Sequence, residues 1–204
     1  MFQNILNIYQ STPITIPFFG IYYGLLTVNY WLLAFGISAI ASHFMNNIIK
    51  VIFKFIYNVI KSDSIPLLGI GVRPKDAKNC SAFTNCKKCD IYPKSFGMPS
   101  GHSQLAWFCF TYGMLYMVEH ITQKYTFEKD LVKRRIWFII GFIIMFLMAI
   151  TLSYSRVYLK CHTVQQVIIG GLFGIGFGVL LYWISAIIIY QDKDVDFIKL
   201  FTQF

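Results

Sequence analysis

The sequence predicts an all-α protein, a polytopic bundle of about five membrane-spanning helices with an active site at one membrane face. Of the 204 residues, 56% are hydrophobic and only 13% are charged, whereas soluble domains carry about 25% charged residues. Three long stretches lack Lys, Arg, Asp and Glu altogether: before Lys50, between Arg135 and Arg156, and between Lys160 and Asp192. A spanning helix needs ~20 apolar residues, so these stretches predict membrane spans.

The first predicted spans lie near the start of the chain. We expect a single domain over residues 1–204, because neither an internal repeat nor a low-complexity linker interrupts it. Residues 14–61 hold enough apolar sequence for two spans. The turn between them is predicted at Asn29, at Gly36 or at Asn46 and its neighbour.

The rest of the chain alternates between polar loops and apolar stretches. Residues 62–98 are rich in Gly, Pro, Lys and Cys, so we expect a loop outside the hydrocarbon. Further spans are predicted over residues 99–120, 136–154 and 163–190. Five glycines of the last span predict close helix packing: Gly170, Gly171, Gly174, Gly176 and Gly178.

Counting the crossings assigns each loop to a side of the membrane. Residues 62–98 and 155–162 emerge on the same side, and residues 124–135 emerge on the other. The connection 124–135 carries five Lys or Arg residues, which is typical of a cytoplasmic segment. We therefore expect the first two loops to face the lumen or the extracellular space, as in an endoplasmic-reticulum-type membrane.

Three clusters of reactive and cationic residues lie on that shared side. They are Arg73–Pro74, Pro99-Ser100-Gly101-His102, and Ser155-Arg156 followed after five residues by His162. Arginine matches the geometry of phosphate oxygens, and a helix start adds backbone N–H donors. One imidazole can attack phosphorus while a second protonates the leaving oxygen. The clusters thus predict phosphoryl transfer.

Other function classes find little support. The two loops on the shared side, 62–98 and 155–162, contain only three acidic residues: Asp63, Asp76 and Asp90. Metal-dependent phosphatases need several carboxylates as metal ligands. We therefore expect no metal and no cofactor. A Gly-x4-Gly-Lys-Ser/Thr loop for nucleotides is missing. The net charge is +9, and the basic residues cluster at the edges of the apolar segments. No nucleic-acid-binding signature accompanies them. The expected partners are therefore a phosphorylated lipid and the bilayer, not nucleic acid.

The three clusters resemble the signature of the type 2 phosphatidic acid phosphatase family: Lys-x6-Arg-Pro, Pro-Ser-Gly-His and Ser-Arg-x5-His-x3-Asp. The strings FGMPSGHSQ, from Phe96, and SRVYLKCHTVQQV, from Ser155, are most similar to the dolichyl-diphosphatase branch. The resemblance covers roughly residues 50–180. It implies a membrane lipid phosphatase that acts without metal.

The resemblance also implies a role for each motif residue. His162 would be the nucleophile that forms a phosphohistidine, and His102 would protonate the leaving group. Arg73 and Arg156 would bind the phosphoryl oxygens, together with Ser100, the Gly101 amide and Ser155.

Two positions depart from the family pattern. Pro66 stands seven residues before Arg73, where the family has lysine, so Lys50 is the first candidate for that role, with Lys54 and Lys61 as alternatives. Gln166 stands where the family usually has Asp. Because it lies four residues after His162 on one helix face, its carbonyl oxygen can accept the Nδ1 proton and orient the nucleophile.

Several alternatives remain open at this level. The substrate would be a prenyl (dolichyl-type) diphosphate or phosphatidate, and the motifs do not define the lipid tail or the oligomeric state. A lipid phosphotransferase would use the same histidine, and a non-catalytic membrane scaffold would retain the motifs. Cys80, Cys86 and Cys89 would form a disulfide, bind zinc or remain thiols.

Overall fold

A computed structural model of the chain describes residues 2–62, 64–74, 77, 96–123 and 131–190. In chain order the elements are α1 Phe2–Leu26, α2 Tyr30–Ile60, β1 Ser64–Ile65, β2 Gly69–Ile70, α3 Gly101–Gln123, α4 Leu131–Tyr158 and α5 Val164–Tyr190. The predicted all-α bundle is confirmed. Its one addition is a small antiparallel hairpin, β1–β2, inside the expected loop 62–98.

The lengths and compositions of the helices can be compared with those of membrane spans. Within the described ranges, three meet both the length and the apolarity of a membrane span: α2, α5 and the part of α4 from Arg135 to Tyr158. The five described helices agree with the expected number of about five spans. Three of these helices also have the composition of a membrane span. The first helix begins at Phe2, ahead of the apolar stretch that starts near residue 14.

The turn between α1 and α2 lies at Asn29, one of the three predicted positions. The Asn29 side-chain oxygen accepts hydrogen bonds from the backbone N–H groups of Trp31 and Leu32, at 3.0 and 3.1 Å, and so caps α2. Gly36 instead allows the two helices to approach each other. A Cβ atom there would lie 2.6 Å from the backbone nitrogen of Ile21.

Glycines also bring α3 and α5 together in the centre of the bundle. A Cβ at Gly170 would lie 2.5 Å from the Ser100 carbonyl oxygen, and one at Gly178 would lie 2.6 Å from Thr111. Gly174 faces the backbone of α3 in the same way, so the three glycines form one contact surface. The expectation is wrong for Gly176, because a Cβ there would have no neighbour within 4 Å.

These contacts bring three helix termini to one end of the bundle. The Ser100 backbone N–H, just before α3, donates to the Gln166 carbonyl oxygen in the first turn of α5 at 3.0 Å. The last turn of α4 carries Arg156 at the same end, eight residues before α5 begins. The second and third sequence motifs therefore share one face of the molecule.

Candidate active site

Arg156 lies in the last turn of α4 with its guanidinium turned into the bundle. The residue has no exposed surface, and its Nε atom donates to the Ser155 hydroxyl at 3.1 Å. That hydroxyl in turn donates to the Leu152 carbonyl at 2.7 Å. The Nη1 and Nη2 atoms are buried and have no hydrogen-bond partner within the described residues. Ser155 thus orients the guanidinium, and the two terminal nitrogens remain as donors for an anion.

A tight turn after α4 carries His162 back toward Arg156. The backbone N–H groups of Cys161 and His162 both donate to the Arg156 carbonyl oxygen, at 2.9 and 3.2 Å. Lys160 adopts a positive φ of 54°, a conformation that reverses the chain at helix ends. The turn therefore holds the backbone of His162 against the last turn of α4.

Gln166 determines which nitrogen of His162 carries the proton. Its Nε2 atom donates to the carbonyl oxygens of Ile70 and Val72, each at 2.8 Å. Because both amide hydrogens are used in this way, Oε1 must be the atom that lies 3.0 Å from Nδ1 of His162. An amide oxygen only accepts, so Nδ1 carries the hydrogen and Nε2 keeps its lone pair.

The same side chain also begins α5. Thr163 precedes the helix, and its hydroxyl accepts from the Gln166 backbone N–H at 3.3 Å, while Oε1 accepts from the Thr163 N–H at 3.3 Å. This reciprocal pair is a capping box. Gln166 therefore joins three segments that are distant in sequence: the segment before Arg73, the start of α3 and the His162 turn.

Arg73, which follows the hairpin, and Lys50, on α2, both carry charges that lie near the two imidazoles. The Nε atom of Arg73 is buried and has no hydrogen-bond partner among the described residues. Its charge lies near enough to those of Lys50 and Arg156 for mutual repulsion. Three cations with this spacing favour an anion among them. Of the alternative lysines, Lys54 and Lys61 line a separate surface groove with Tyr57 and Val72.

The start of α3 completes the site. The Ser100 hydroxyl is buried without a hydrogen-bond partner in the described part of the chain. Gly101 opens the helix, and a Cβ there would lie 3.1 Å from the Asn46 side-chain oxygen. The imidazole of His102 is near enough to that of His162 to interact electrostatically. Both imidazoles thus lie at one end of the bundle.

Burial and positive charge both act on the groups outside the spans. Burial lowers the pKa of His162 well below its ordinary value; the Arg73 charge acts in the same direction, and the hydrogen bond to Gln166 partly opposes it. Burial also lowers the pKa of Arg73. These effects favour the neutral form of His162, the form that nucleophilic attack would require.

The polar groups beneath the site were not predicted from the sequence. Gln104 donates from Nε2 to the Ser42 carbonyl oxygen at 2.6 Å and accepts from Asn46 at 2.8 Å, and all three residues are buried. Gln104 lies about one helical turn below Gly101, and Asn46 and Ser42 lie about one and two turns below Lys50. A polar pair such as Asn46 and Gln104 inside apolar stretches is the signal that could have identified them.

Gly97 is a second residue whose role was not predicted. A Cβ at this position would lie 2.7 Å from both amide atoms of the Gln166 side chain. Its N–H donates to the Gly71 carbonyl at 3.0 Å, which fastens the segment before α3 to the segment before Arg73. The absence of a Cβ atom at Gly97 therefore leaves room for the Gln166 amide, which orients His162.

The cysteines and possible metal ligands complete the description. Cys161, next to His162, is disulfide-bonded, whereas Cys109 is a free thiol. Cys80, Cys86 and Cys89 lie outside the described residues, as do Asp63, Asp76 and Asp90. Among the residues that the structure does describe, no group of three His, Cys, Asp or Glu side chains could hold a metal ion.

Comparison with known proteins points to one family. The sequence profile of the PAP2 superfamily matches residues 31–189, a range that contains every motif residue named above. Dolichyldiphosphatase of Saccharomyces cerevisiae is 30% identical over 157 residues, which are 77% of this chain and 52% of the yeast protein.

Shorter matches have higher identity. Dolichyldiphosphatase 1 of Homo sapiens is 42% identical over 81 residues, 39% of this chain and 32% of the human protein. The protein of the same name from Dictyostelium discoideum is 32% identical over 93 residues, 46% of this chain and 37% of that protein. This chain thus spans about half the length of the yeast relative and about a third of the other two. No solved structure matches.

Proposed function

Because the chain belongs to the PAP2 superfamily, as the match over residues 31–189 establishes, we propose that it is a membrane phosphatase for lipid phosphates or diphosphates. The observation that carries the proposal is the pairing of His162 with Gln166 at 3.0 Å. It leaves Nε2 of His162 with a lone pair, in a ring that lies near the charges of Arg73 and Lys50. A nucleophile and an anion site are thereby adjacent.

The proposed reaction has two steps. In the first, Nε2 of His162 attacks phosphorus, the bond from phosphorus to the leaving oxygen breaks, and protonated His102 gives its proton to that oxygen. In the second, His102 takes a proton from water, the water oxygen attacks the phosphohistidine, and phosphate leaves. No step requires a metal ion or a cofactor.

Cations and backbone donors would stabilise the charge on the transferred group. Arg156 supplies Nη1 and Nη2, and Arg73 and Lys50 add positive charge. The Ser100 hydroxyl and the Gly101 amide at the start of α3 supply further donors. Ser155 acts through Arg156, since its hydroxyl already bonds to Nε. Groups aimed at the phosphoryl oxygens in this way lower the barrier without moving during the reaction.

The lipid nature of the substrate follows from the location of the site. Helices α2, α4 and α5 can span a bilayer, and their common end carries the site. A lipid could present its phosphate there without leaving the membrane. The relatives named dolichyldiphosphatase favour a prenyl diphosphate over phosphatidate.

Two observations support a site on the lumenal or extracellular side. The Cys161 disulfide lies next to His162, and disulfides persist in oxidising compartments. The five Lys or Arg residues of segment 124–135 belong to the opposite side and favour the cytoplasm.

The test is phosphate release by the full-length protein purified in detergent. We expect activity with polyprenyl diphosphate, compared with phosphatidate and sphingosine phosphate, and we expect it to persist in EDTA. His162→Ala should abolish it, while His43→Ala, at an exposed position of α2, should not. Rapid quenching with labelled lipid should trap an acid-labile phosphohistidine on the wild type. Unchanged phosphate release by His162→Ala would rule out the proposed mechanism.

A further inference from the structure

The ring of His102 contacts the first helix. Its Nε2 atom lies 3.2 Å from the Gln10 backbone carbonyl oxygen. Since a carbonyl oxygen only accepts hydrogen bonds, Nε2 carries a hydrogen and donates it to α1. The proton that a general acid would transfer is therefore directed at a backbone oxygen of another helix.

The direction of this bond defines a side of the site. In displacement at phosphorus the attacking atom and the leaving oxygen lie roughly in line on opposite sides. His162 approaches from the turn between α4 and α5, whereas Nε2 of His102 is directed at α1. The leaving oxygen, and the lipid part attached to it, would therefore lie between α3 and α1.

The first helix runs alongside α3 from this point. Ile16 packs against the core cluster that contains Leu105 and Phe108 of α3, one to two turns below His102. Gln10 and Ile16 are six residues apart, or ~9 Å along a helix, which agrees with a parallel course. Thr12 is one turn before Ile16 and shares its face. It is half-buried, as expected for the side of α1 that is turned toward α3.

The first helix is also suited to move away from α3. It packs mainly on α2 and contacts α3 and α4 only lightly. Pro13 and Pro17 lie inside it, and a proline removes one helical hydrogen bond and permits a kink. A kink at Pro13 would let the turn that carries Gln10 move away from α3 while the rest of α1 stays packed on α2.

We propose that the cleft between α1 at Gln10 and α3 at His102 is the subsite for the leaving lipid, and that α1 closes it until the lipid arrives. The Gln10 carbonyl occupies the position of the leaving-group oxygen and accepts the same hydrogen. The lipid displaces this contact, takes its place, and lays its apolar chain along the α3-facing side of α1. The inference rests on the proposed phosphatase function, and it adds the direction from which the lipid arrives.

The first test fills the cleft and compares two substrates. Thr12→Trp places a large ring on the α3-facing side of α1, and Ile14→Trp places the same ring on the membrane side, where Ile14 is 51% exposed. KM for a polyprenyl diphosphate should rise about tenfold more than KM for a water-soluble aryl phosphate in Thr12→Trp. Ile14→Trp should show no such difference. Equal changes for both substrates, or none in Thr12→Trp, would overturn the proposal.

The second test does not depend on turnover. Thr12→Cys and Ile14→Cys are labelled with a thiol reagent, and peptide mapping separates the new cysteine from the native ones. A non-hydrolysable prenyl diphosphonate should change the labelling rate at residue 12 several-fold and leave that at residue 14 unchanged. An unchanged rate at residue 12, with the diphosphonate shown to bind, contradicts the subsite. A wild type that binds the diphosphonate but hydrolyses no lipid contradicts the phosphatase function instead.

Discussion

The Oε1 atom of Gln166 lies 3.0 Å from Nδ1 of His162, and its orientation is determined by two bonds made on the other side of the amide. Those bonds, from Nε2 to the carbonyl oxygens of Ile70 and Val72, need a donor. An aspartate at this position could accept from the imidazole but could not donate. The amide therefore links the orientation of His162 to the segment that precedes Arg73.

Gln166→Glu should reduce both turnover and stability. The carboxylate still accepts from His162, but it faces two carbonyl oxygens that have lost their donors, and a buried unsatisfied acceptor costs ~1–3 kcal/mol. We expect kcat for phosphate release to fall about tenfold or more and Tm to fall. Gln165→Glu, at the exposed neighbouring position, is the control. A Gln166→Glu enzyme with wild-type kcat and Tm would show that the two donor bonds are dispensable.

Arg156→Lys should weaken the binding of the phosphoryl group. Lysine cannot present two parallel donors, and each hydrogen bond to a charged group contributes ~1.5–3 kcal/mol, so kcat/KM should fall about 10- to 100-fold. Binding of vanadate or inorganic phosphate should weaken in parallel. Arg135→Lys makes the same change on the same helix at an exposed position and should leave both measurements unchanged. Similar effects of the two substitutions would argue against a phosphate contact.

As the pH is lowered, kcat/KM should begin to fall only below the ordinary pKa of histidine. Burial, and next the charge of Arg73, lower the pKa of His162, so the nucleophile stays neutral as the pH falls through ~6.5. We expect kcat/KM to be maintained below that pH until His162 is protonated. A limb at or above pH ~6.5 that follows His162 titration would contradict this assignment.

Stability should show the corresponding dependence. The unfolded chain binds a proton at His162 near pH ~6.5 and the folded chain does not, so the unfolded state binds more protons between the two pKa values. The free energy of unfolding should therefore decrease as the pH falls below ~6.5, by up to ~1.4 kcal/mol per pH unit from this group. His162→Ala should remove this part of the dependence of Tm on pH. If its Tm profile matches the wild type, His162 is not buried in the neutral form.

The disulfide at Cys161 should contribute to the position of His162. Cys161 is fully buried, and its N–H and that of His162 share the Arg156 carbonyl. A dithiol reductant, or Cys161→Ala, should lower Tm and kcat together, since a disulfide typically contributes ~2–4 kcal/mol. Cys109→Ala removes a free thiol and should change neither. Full activity after verified reduction of the disulfide would exclude this contribution.

Local spacing explains which parts of this arrangement could be predicted. The four-residue separation of His162 and Gln166 is enough to put them on one helix face, because a helix has a fixed repeat. The side-chain N–H groups of Gln166 donate to carbonyl oxygens 94 and 96 residues away. Every residue has a backbone carbonyl, so the sequence does not indicate which ones accept these hydrogen bonds. The spacing of the residues therefore predicts the acceptor side of the amide, while the donor side depends on tertiary packing.

The turn between α1 and α2 is a second feature that depends on tertiary packing. Asn29, Gly36 and Asn46 are equally plausible turn residues from their intrinsic preferences. Asn29 caps α2, whereas Asn46 donates to Gln104 in the buried interior. The choice among them is made by the partners that each residue finds in the other helices, and a single sequence does not contain that information.

Gly97→Ala should impair the site through Gln166. The added methyl group would lie 2.7 Å from both amide atoms of Gln166, so the amide has to shift and its bond to Nδ1 of His162 has to lengthen. We expect kcat to fall about tenfold or more, with a smaller change in KM because the cations are not displaced. The pH at which activity is lost should also move, since the tautomer of His162 is no longer fixed.

Gly176→Ala provides the matched control for this substitution. A Cβ at Gly176 has no neighbour within 4 Å, and replacing glycine by alanine inside a helix stabilises by ~0.4–1 kcal/mol where space allows. This variant should keep wild-type kcat and gain slightly in Tm. If Gly97→Ala behaves like Gly176→Ala, the close contact between residue 97 and the Gln166 amide does not constrain His162, and the hydrogen bonds of Gln166 are sufficient to hold the amide in place.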